Sequence, residues 1–597
     1  MALTMIEKIL AQHSDLQQIH PGDIVDVIID ARVARDFGGA NVVNNLERNH
    51  LSIDDPSKTY FTFDCNPGGS DQKYAANQQR CRLFARKNNI RVFDINWGIG
   101  THLAIETKMV TPGGTFVSTD SHANIMGAIG AFGQGMGDQD IAAAWSRGKV
   151  WFKTPASVKL ELVGRPAPGI TAKDIVLSLL QKFGSNSLLG YAVEICGDYA
   201  DEMSLTDRIT ISSMGTEMGA IALLFVPNKE ILQYYGMKEK ICADLDAHYD
   251  HQYSFDLSDC RTFLSKPGSP DDVIHVSQLQ GIKIDSAFIG SCTNGSYEDM
   301  KAAAKVLEGK KVAPGVVLKI VPATNAVWDR CLRDGILEIF KKAGALVGNP
   351  GCAGCAAGQI GQNGPHEITV STGNRNFPGK QGKGEVYLAS PVTAAASAVA
   401  GCISSMDQIP DKPCTFAQST ASIVIEQKTS KSKVKPSLST KGRIWVINKD
   451  NIDTDMIYHN RYLAIVDIQE MARYTFDNLE GWQDFAQHAK PGDIIFTGKN
   501  FGCGSSRQQA VDCFKALGIG AIVAESFGAI YERNAINAAF PIFTTGTTIG
   551  QLPFQNGDVV ELDFSTGRIT REKDSLIFQI NPFFSVQKEI YERGGLL

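Results

Sequence analysis

Residues 282–307 read IKIDSAFIGSCTNGSYEDMKAAAKVL. Residues 282–289 form a β-like apolar run, and residues 297–307 carry apolar side chains at helical spacing. Between them lies the small-residue turn Gly290-Ser291-Cys292-Thr293-Asn294. A strand passing through a glycine turn into a helix is the repeating unit of parallel sheets with crossover helices. Similar β-like runs stand at 157–163 and 316–321, and the alternation with helical patterns fills residues 1–425. The predicted fold class is therefore α/β.

Beyond residue 425 the texture changes. Residues 426–441, EQKTSKSKVKPSLSTK, are basic and polar with one proline, the composition of a flexible linker. The competing reading is a solvated loop inside one domain. A second unit of about 155 residues, 442–597, follows with its own apolar runs at 443–447, 493–497 and 521–524.

The whole chain, 597 residues, is long enough for about three or four domains. At 43% hydrophobic and 20% charged it has an ordinary globular composition. A net charge of −6 gives no overall basic field for nucleic acid or anionic lipid, so neither is expected as a partner, and an anionic substrate must be held by local arginines. No apolar run is long enough to span a bilayer, and the N-terminus enters a helical pattern directly. A cytoplasmic protein is the expectation. Thirteen cysteines, an odd number without small-scaffold spacing, argue against a disulfide framework.

Three of those cysteines stand among small residues after β-like runs: Cys292, and the pair Cys352 and Cys355 in Gly351-Cys352-Ala353-Gly354-Cys355. Glycine and alanine let backbone approach a bulky centre and turn N–H groups towards it. A lone C-x-x-C also fits half a zinc site or a redox pair. On spacing alone an iron–sulfur cluster, a structural or redox pair, and inert thiols all stay open. Three thiolates on a cluster would leave one iron free for catalysis.

Near the C-terminus, Asn500-Phe501-Gly502-Cys503-Gly504-Ser505-Ser506-Arg507 runs towards a helix predicted to begin near Ser506. Free N–H groups, two hydroxyls and an arginine make a carboxylate or phosphate pocket; a plain helix cap with a surface arginine is the alternative. Arg375, in Asn374-Arg375-Asn376-Phe377-Pro378-Gly379-Lys380, sits among turn-formers. Asp120-Ser121-His122 follows another β-like run, and His102 stands in a loop-like segment. Either histidine could move protons or rest against a buried carboxylate, with Glu217 available as a partner.

Taken in order, STDSHAN, GSCTN, GCAGC, GNRNFPGK, NIDTD and GKNFGCGSSR resemble the aconitase superfamily of hydro-lyases, in its isopropylmalate-isomerase branch. The resemblance implies a three-domain α/β core plus a C-terminal swivelling β/α domain, with large- and small-subunit-like parts fused through 426–441. It implies one [4Fe-4S] cluster per chain on Cys292, Cys352 and Cys355, and a small carboxylic-acid substrate. It assigns Ser505 as base and His102, His122, Asp120, Glu217, Asp64 and Cys65 to the acid–base set. Arg375, Arg507, Ser506, Ser121 and Lys380 would bind substrate. Because both parts lie in one chain, a monomer is expected.

The chain also departs from the family pattern. Cys65, in Thr62-Phe63-Asp64-Cys65-Asn66, falls on a histidine position, and a thiol has the higher reference pKa, about 8.5 against about 6.5. Lys380 stands where a second arginine is usual, Gln508-Gln509 replaces Glu-His, and Ala529 replaces an arginine. After Arg461-Tyr462-Leu463 the substrate loop reads Ala464, Ile465, Val466, where relatives acting on tricarboxylates tend to carry an arginine. Burying a third carboxylate there would be costly. The expected substrate is an apolar-substituted malate such as isopropylmalate. Citrate or homocitrate is the alternative, and a non-catalytic cluster- or RNA-binding relative is the alternative of another class.

Overall fold

The computed structural model describes residues 2–16, 18–66, 72–355, 359–415, 436–463, 465, 467–505 and 507–596, with only the backbone of Cys355. Two compact units divide the chain, Met1–Thr420 and Ala421–Leu597.

Among the described residues the first unit has three larger α/β sheets and a two-stranded antiparallel ribbon, Ile24–Ile28 with Lys149–Lys153. One runs Arg91–Phe93, Thr59–Thr62, Ala31–Arg35, Thr115–Ser118, Phe132–Gly135, with every pair parallel. The second runs Ala222–Phe225, Ala192–Cys196, Ser157–Val163, His251–Asp256, also parallel throughout. The third has five parallel strands, Glu385–Leu388, Ile368–Ser371, Ser286–Ile289, Val317–Ile320 and Leu346–Val347. Phe263–Ser265 and Val273–His275 extend it antiparallel. Central strands such as Ser286–Ile289 are buried along their whole length, as apolar runs covered on both faces must be.

The quoted βα unit forms with a shorter strand than the sequence predicts. The strand is Ser286–Ile289 because residues 282–284 pair elsewhere: Lys283 bridges Cys402, and Ile284 N–H donates to Gly401. The helix Tyr297–Leu307 starts where expected, capped by Ser296 and Asp299 in a reciprocal box.

This topology places the chemistry. Ligands of open parallel sheets gather at the carboxyl ends of strands, where the strand order reverses. In the first sheet Ala31–Arg35 is central. Its end carries Arg35 and Asp36, and its neighbours lead to Asp64-Cys65 on one side and Asp120-Ser121-His122 on the other. In the third sheet the strand ends lead to Cys292, Cys352 and Arg375.

The second unit holds a seven-stranded sheet. Ile542–Thr544, Ala521–Ala524, Ile494–Thr497 and Ser439–Ile447 are parallel, and Val559–Asp563, Arg568–Arg571 and Ile577–Gln579 continue antiparallel. The predicted run 443–447 begins earlier, at Ser439, because residues 439–443 pair with Val559–Asp563. The last three residues of the predicted linker 426–441 are thus sheet, while 426–435 lie outside the described residues. Among the described residues no helix is long and apolar enough to cross a membrane.

Candidate active site

Arg35 is the hub of the first unit's polar cluster. Its Nε donates to Asp64 Oδ1 at 2.7 Å, and its Nη1 lies 3.3 Å from Asp120 Oδ2. All three groups are buried. Burial works to lower the Arg35 pKa, but Asp120 and Asp64 raise it well above the ordinary value, so the guanidinium stays charged. Burial works to raise Asp120, yet Arg35 and then His122 hold it below the ordinary carboxylate value. The sequence reading missed Arg35. The available signal was an arginine at the carboxyl end of the strand Ala31–Arg35, which is buried along its whole length and where a charge needs a reason.

Asp64 collects several donors. Its Oδ2 accepts from Gly100 N–H at 2.9 Å, its Oδ1 accepts the Cys65 thiol at 3.4 Å, and its carbonyl accepts Cys352 N–H at 2.9 Å. Burial raises the Asp64 pKa against the pull of Arg35. Asp36, also missed, accepts from Cys65 N–H, Asn66 N–H and Gln78 Nε2. The ligand atoms of Asp36, Asp64 and Cys65 lie within 4.8 Å of one another. These hydrogen bonds make the trio an anchored loop that fixes Cys65. Burial drives the Cys65 pKa well above its ordinary value, so the group is a thiol.

A second arm runs outward from Asp120. His122 N–H donates to Asp120 Oδ1 at 3.0 Å, and His122 Nε2 donates to Glu217 Oε1 at 3.2 Å. The same Glu217 oxygen accepts Arg375 Nε at 2.7 Å, and Arg375 Nη1 donates to Ser121 Oγ at 3.3 Å. Glu217 lies on the short 3-10 turn Gly215–Met218 and is buried. Burial works to raise its pKa, but His122 and Arg375 hold it below the ordinary value.

His102, for which the sequence left proton transfer and a carboxylate partner open, takes a different partner from His122. It is held by a backbone carbonyl, with Nε2 2.8 Å from Cys292 O. A carbonyl only accepts, so Nε2 carries the proton. Burial lowers its pKa and favours the neutral ring, leaving Nδ1 as an acceptor.

Arg35, Cys65, Asp120, Ser121, His122, Cys352 and Lys380 line one cavity of about 290 Å³, with Phe37, Tyr74 and Thr119. Six of these were singled out in the sequence. Glu217 and Arg375 are hydrogen-bonded to this lining through His122 and Ser121. Cys292 and Cys352 are buried, at 2% and 8% exposure. Cys292 follows Gly290 (φ 154°) and Ser291 (φ 81°), and Cys352 sits between Gly351 (φ 159°) and Ala353 (φ 49°). At both turns the positive-φ glycine lies against other backbone: a Cβ on Gly290 would meet the Val321 carbonyl at 2.6 Å, and one on Gly351 the Asp64 carbonyl at 2.9 Å. The Cys355 side chain lies outside the described residues.

In the second unit the glycine loop is pinned by aromatic packing. Phe501 is buried edge-on to Tyr531 at 5.2 Å, and Gly502 (φ 75°) lies so close to that ring that a Cβ would clash. The helix is Gln509–Leu517, three residues later than the predicted start near Ser506. Arg507 turns instead to Asp455, donating from Nη1 at 2.6 Å and Nη2 at 2.7 Å, and to the Tyr458 carbonyl at 3.0 Å. That bond holds Asp455 below its ordinary pKa. Ser505 is exposed and its carbonyl accepts from Thr454 Oγ1. Ser506, Ala464 and Val466 lie outside the described residues. Ile465 is partly buried against the core of this unit.

A buried guanidinium and imidazole interleaved with carboxylates, beside thiols at parallel-strand ends, form the kind of charge-paired, pKa-shifted cluster at which α/β enzymes place their active sites. The chain belongs to the aconitase family (aconitate hydratase), whose description matches residues 7–281 and 275–401, with the aconitase C-terminal domain matching 420–543. It is a hydro-lyase of that family. It is 40% identical over 410 residues to the 3-isopropylmalate dehydratase large subunit 1 of Methanopyrus kandleri, covering 67% of this chain and 98% of that protein. It is 38% identical over 415 residues to the homoaconitase large subunit of Thermus thermophilus, covering 69% and 99%. A crystal structure of a 3-isopropylmalate dehydratase (leuD) from Methanocaldococcus jannaschii matches at 34% identity and a TM-score of 0.25, over 26% of this chain and 90% of that one.

Proposed function

We propose that this enzyme removes and re-adds water on a small hydroxy acid with two carboxylates and an apolar third substituent, such as 2- or 3-isopropylmalate or another alkyl- or aryl-substituted malate. The observation that carries the substrate reading is Arg461. It is the arginine of the substrate loop, and it donates to Asp477 Oδ2 at 2.7 Å and lies 4.7 Å over the Tyr462 ring. The residues after Leu463 are Ala464, Ile465 and Val466, so a third carboxylate would meet no cation there.

Cys292, Cys352 and Cys355 are read as holding one [4Fe-4S] cluster. The described part of this set fits such a group. Two soft thiol donors are buried, and the Cys292 thiol rests against Asn374 Oδ1 at 3.3 Å. The Nδ2 of that same Asn374 is buried with no hydrogen-bond partner among the described residues. A buried N–H beside a cysteine suits a thiolate or sulfide acceptor. When bound, the cluster supplies Lewis-acid chemistry at an iron without a cysteine ligand.

The chain's own residues supply the rest. Ser505 takes the proton next to a carboxylate, and Arg507, oriented by Asp455, steadies the developing negative charge. Arg375, Ser121, Ser506 and Lys380 hold carboxylates. Arg35 Nη2, buried without a partner among the described residues, adds a donor at the cavity. His122, flanked by Asp120 and Glu217, carries the proton that leaves with water; neutral His102 accepts through Nδ1. Asp64 fixes the Cys65 thiol, which stands in for a histidine as a weaker acid. Parts 1–425 and 442–597 act as the large- and small-subunit-like halves of one enzyme, which works as a monomer.

The test is an ultraviolet assay for the unsaturated diacid, using protein reconstituted anaerobically. The panel is isopropylmalate, benzylmalate, methylmalates, homocitrate and citrate. Turnover of an alkyl- or aryl-malate above the tricarboxylates is expected. Faster turnover of citrate or homocitrate would sink the substrate reading and leave the hydro-lyase intact.

A further inference from the structure

Two cysteines outside the active site lie against each other. Cys402 Sγ and Cys414 Sγ are 2.9 Å apart, closer than sulfur atoms in ordinary contact, and both are free thiols. Their backbones are fixed around the end of the helix Pro391–Ala400. Gly401 caps that helix in the left-handed conformation, Cys402 bridges Lys283, and Cys414 N–H donates to the Ala400 carbonyl at 2.7 Å. Main-chain bonds on both sides thus hold the two thiols beside each other. The pair stands just before residues 416–435.

We propose that Cys402 and Cys414 are a modification site, forming a reversible disulfide when the chain meets a small-molecule disulfide. Cys402 is buried and Cys414 half-buried, so Cys414 is the sulfur an outside reagent reaches first. Burial and the Cys414 thiol push the Cys402 pKa up, which keeps the inner sulfur protonated until its neighbour has reacted. The Cys414 thiolate attacks one sulfur of R–S–S–R, its S–S bond breaks, and RS⁻ leaves. The Cys402 sulfur, losing its proton, then attacks Cys414 in the mixed disulfide and expels the second RS⁻. The two protein thiol protons and two electrons end on two RSH molecules, so the protein is oxidised and the reagent reduced. The cysteines of the active site take no part.

Cleavage chemistry makes the pair easy to read. Cyanogen bromide cuts after Met300, Met406 and Met456, so Cys402 falls in fragment 301–406 and Cys414 is the sole cysteine of fragment 407–456. The full chain is held with glutathione disulfide under nitrogen, remaining thiols are alkylated, and the product is cleaved without reductant. Fragments 301–406 and 407–456 should run joined and separate on reduction. Tandem mass spectrometry of the joined species should place the link on Cys402 rather than Cys331, Cys352 or Cys355, and Cys402→Ser should abolish it. Fragment 407–456 emerging free, carrying glutathione or the alkyl label, would overturn the proposal, as would a link to any other cysteine.

Discussion

The two units handle charge in opposite ways. In the first, the Arg35 and Asp64 side chains are 9% and 0% exposed, and each charge is met by a buried counter-charge. In the second, Arg507 is 8% exposed but its partner Asp455 is 38% exposed. Water shares the work there. A buried network must be complete to be tolerable, because each member left alone pays full desolvation. A half-exposed pair can lose a member and be re-solvated. The first unit is therefore preorganised by mutual need, and the second presents its motif on a loop pinned by Phe501 and Tyr531.

The largest effect should follow from breaking the network at its hub. Arg35→Met leaves Asp64 and Asp120 buried without their cation. A loss of about 3–5 kcal/mol is expected in urea unfolding, with loss of turnover. A loss below about 1 kcal/mol would mean that the cluster is not the interdependent unit described.

Next comes a residue of the other kind. Ser505 is exposed and on a loop, so Ser505→Ala should move stability by no more than about 0.5 kcal/mol. As the assigned base, its removal should lower kcat by about 10²–10⁴-fold. Unchanged kcat would end its assignment while leaving the first unit's chemistry standing. Together the two variants separate a group that holds the fold from one that only reacts.

How far the sequence reached follows the same divide. Motifs at strand ends were legible because small residues and polar side chains interrupt apolar runs there: Asp120, His122, Cys292, Cys352 and Arg375 all stand at such positions. Strand 157–163 and helix 297–307 were readable from periodicity alone. Arg35 and Asp36 were not, since charges at the end of a strand that already carries Arg32 show their purpose only when Asp64 and Asp120 arrive from distant segments. The helix start near Ser506 was misjudged because Arg507 pairs with Asp455 from another motif, and no local pattern encodes that. The strand from Ser439 depended on pairing with Val559–Asp563, more than a hundred residues away. That His102 bonds the Cys292 carbonyl could not be read for a related reason, since a backbone partner leaves no mark in sequence.

Acid should test the contrast more gently. Asp120 and Glu217 sit below their ordinary values of 3.8 and 4.5 in the folded chain. Their contribution is fully present above those values and lost as pH falls through the lower folded ones. Asp64, raised by burial, works in the opposite sense and gains stability as it takes up a proton. The cleaner readout is thus a difference. Unfolding free energy measured against pH for the native chain and Glu217→Gln should converge as pH drops below 4.5, with the native chain losing more. Parallel curves would remove Glu217 from the set of paired, ionised groups.

The smallest stability effect belongs to Asp455→Asn. Asp455 is held down mainly by its bond to Arg507, but more than a third of its side chain meets water. Screening there limits the pair to about 0.2–1 kcal/mol. Orientation is the more sensitive quantity. The two parallel bonds from Arg507 fix the plane of its guanidinium, and an amide can accept only one of them. Asp455→Asn should therefore lower kcat/KM by much more than it lowers stability, with Arg507→Lys doing the same because an ammonium cannot make the fork. If both variants lost stability and activity in proportion, the second unit's arginine would be a structural clamp like Arg35, and the contrast between the two units would collapse.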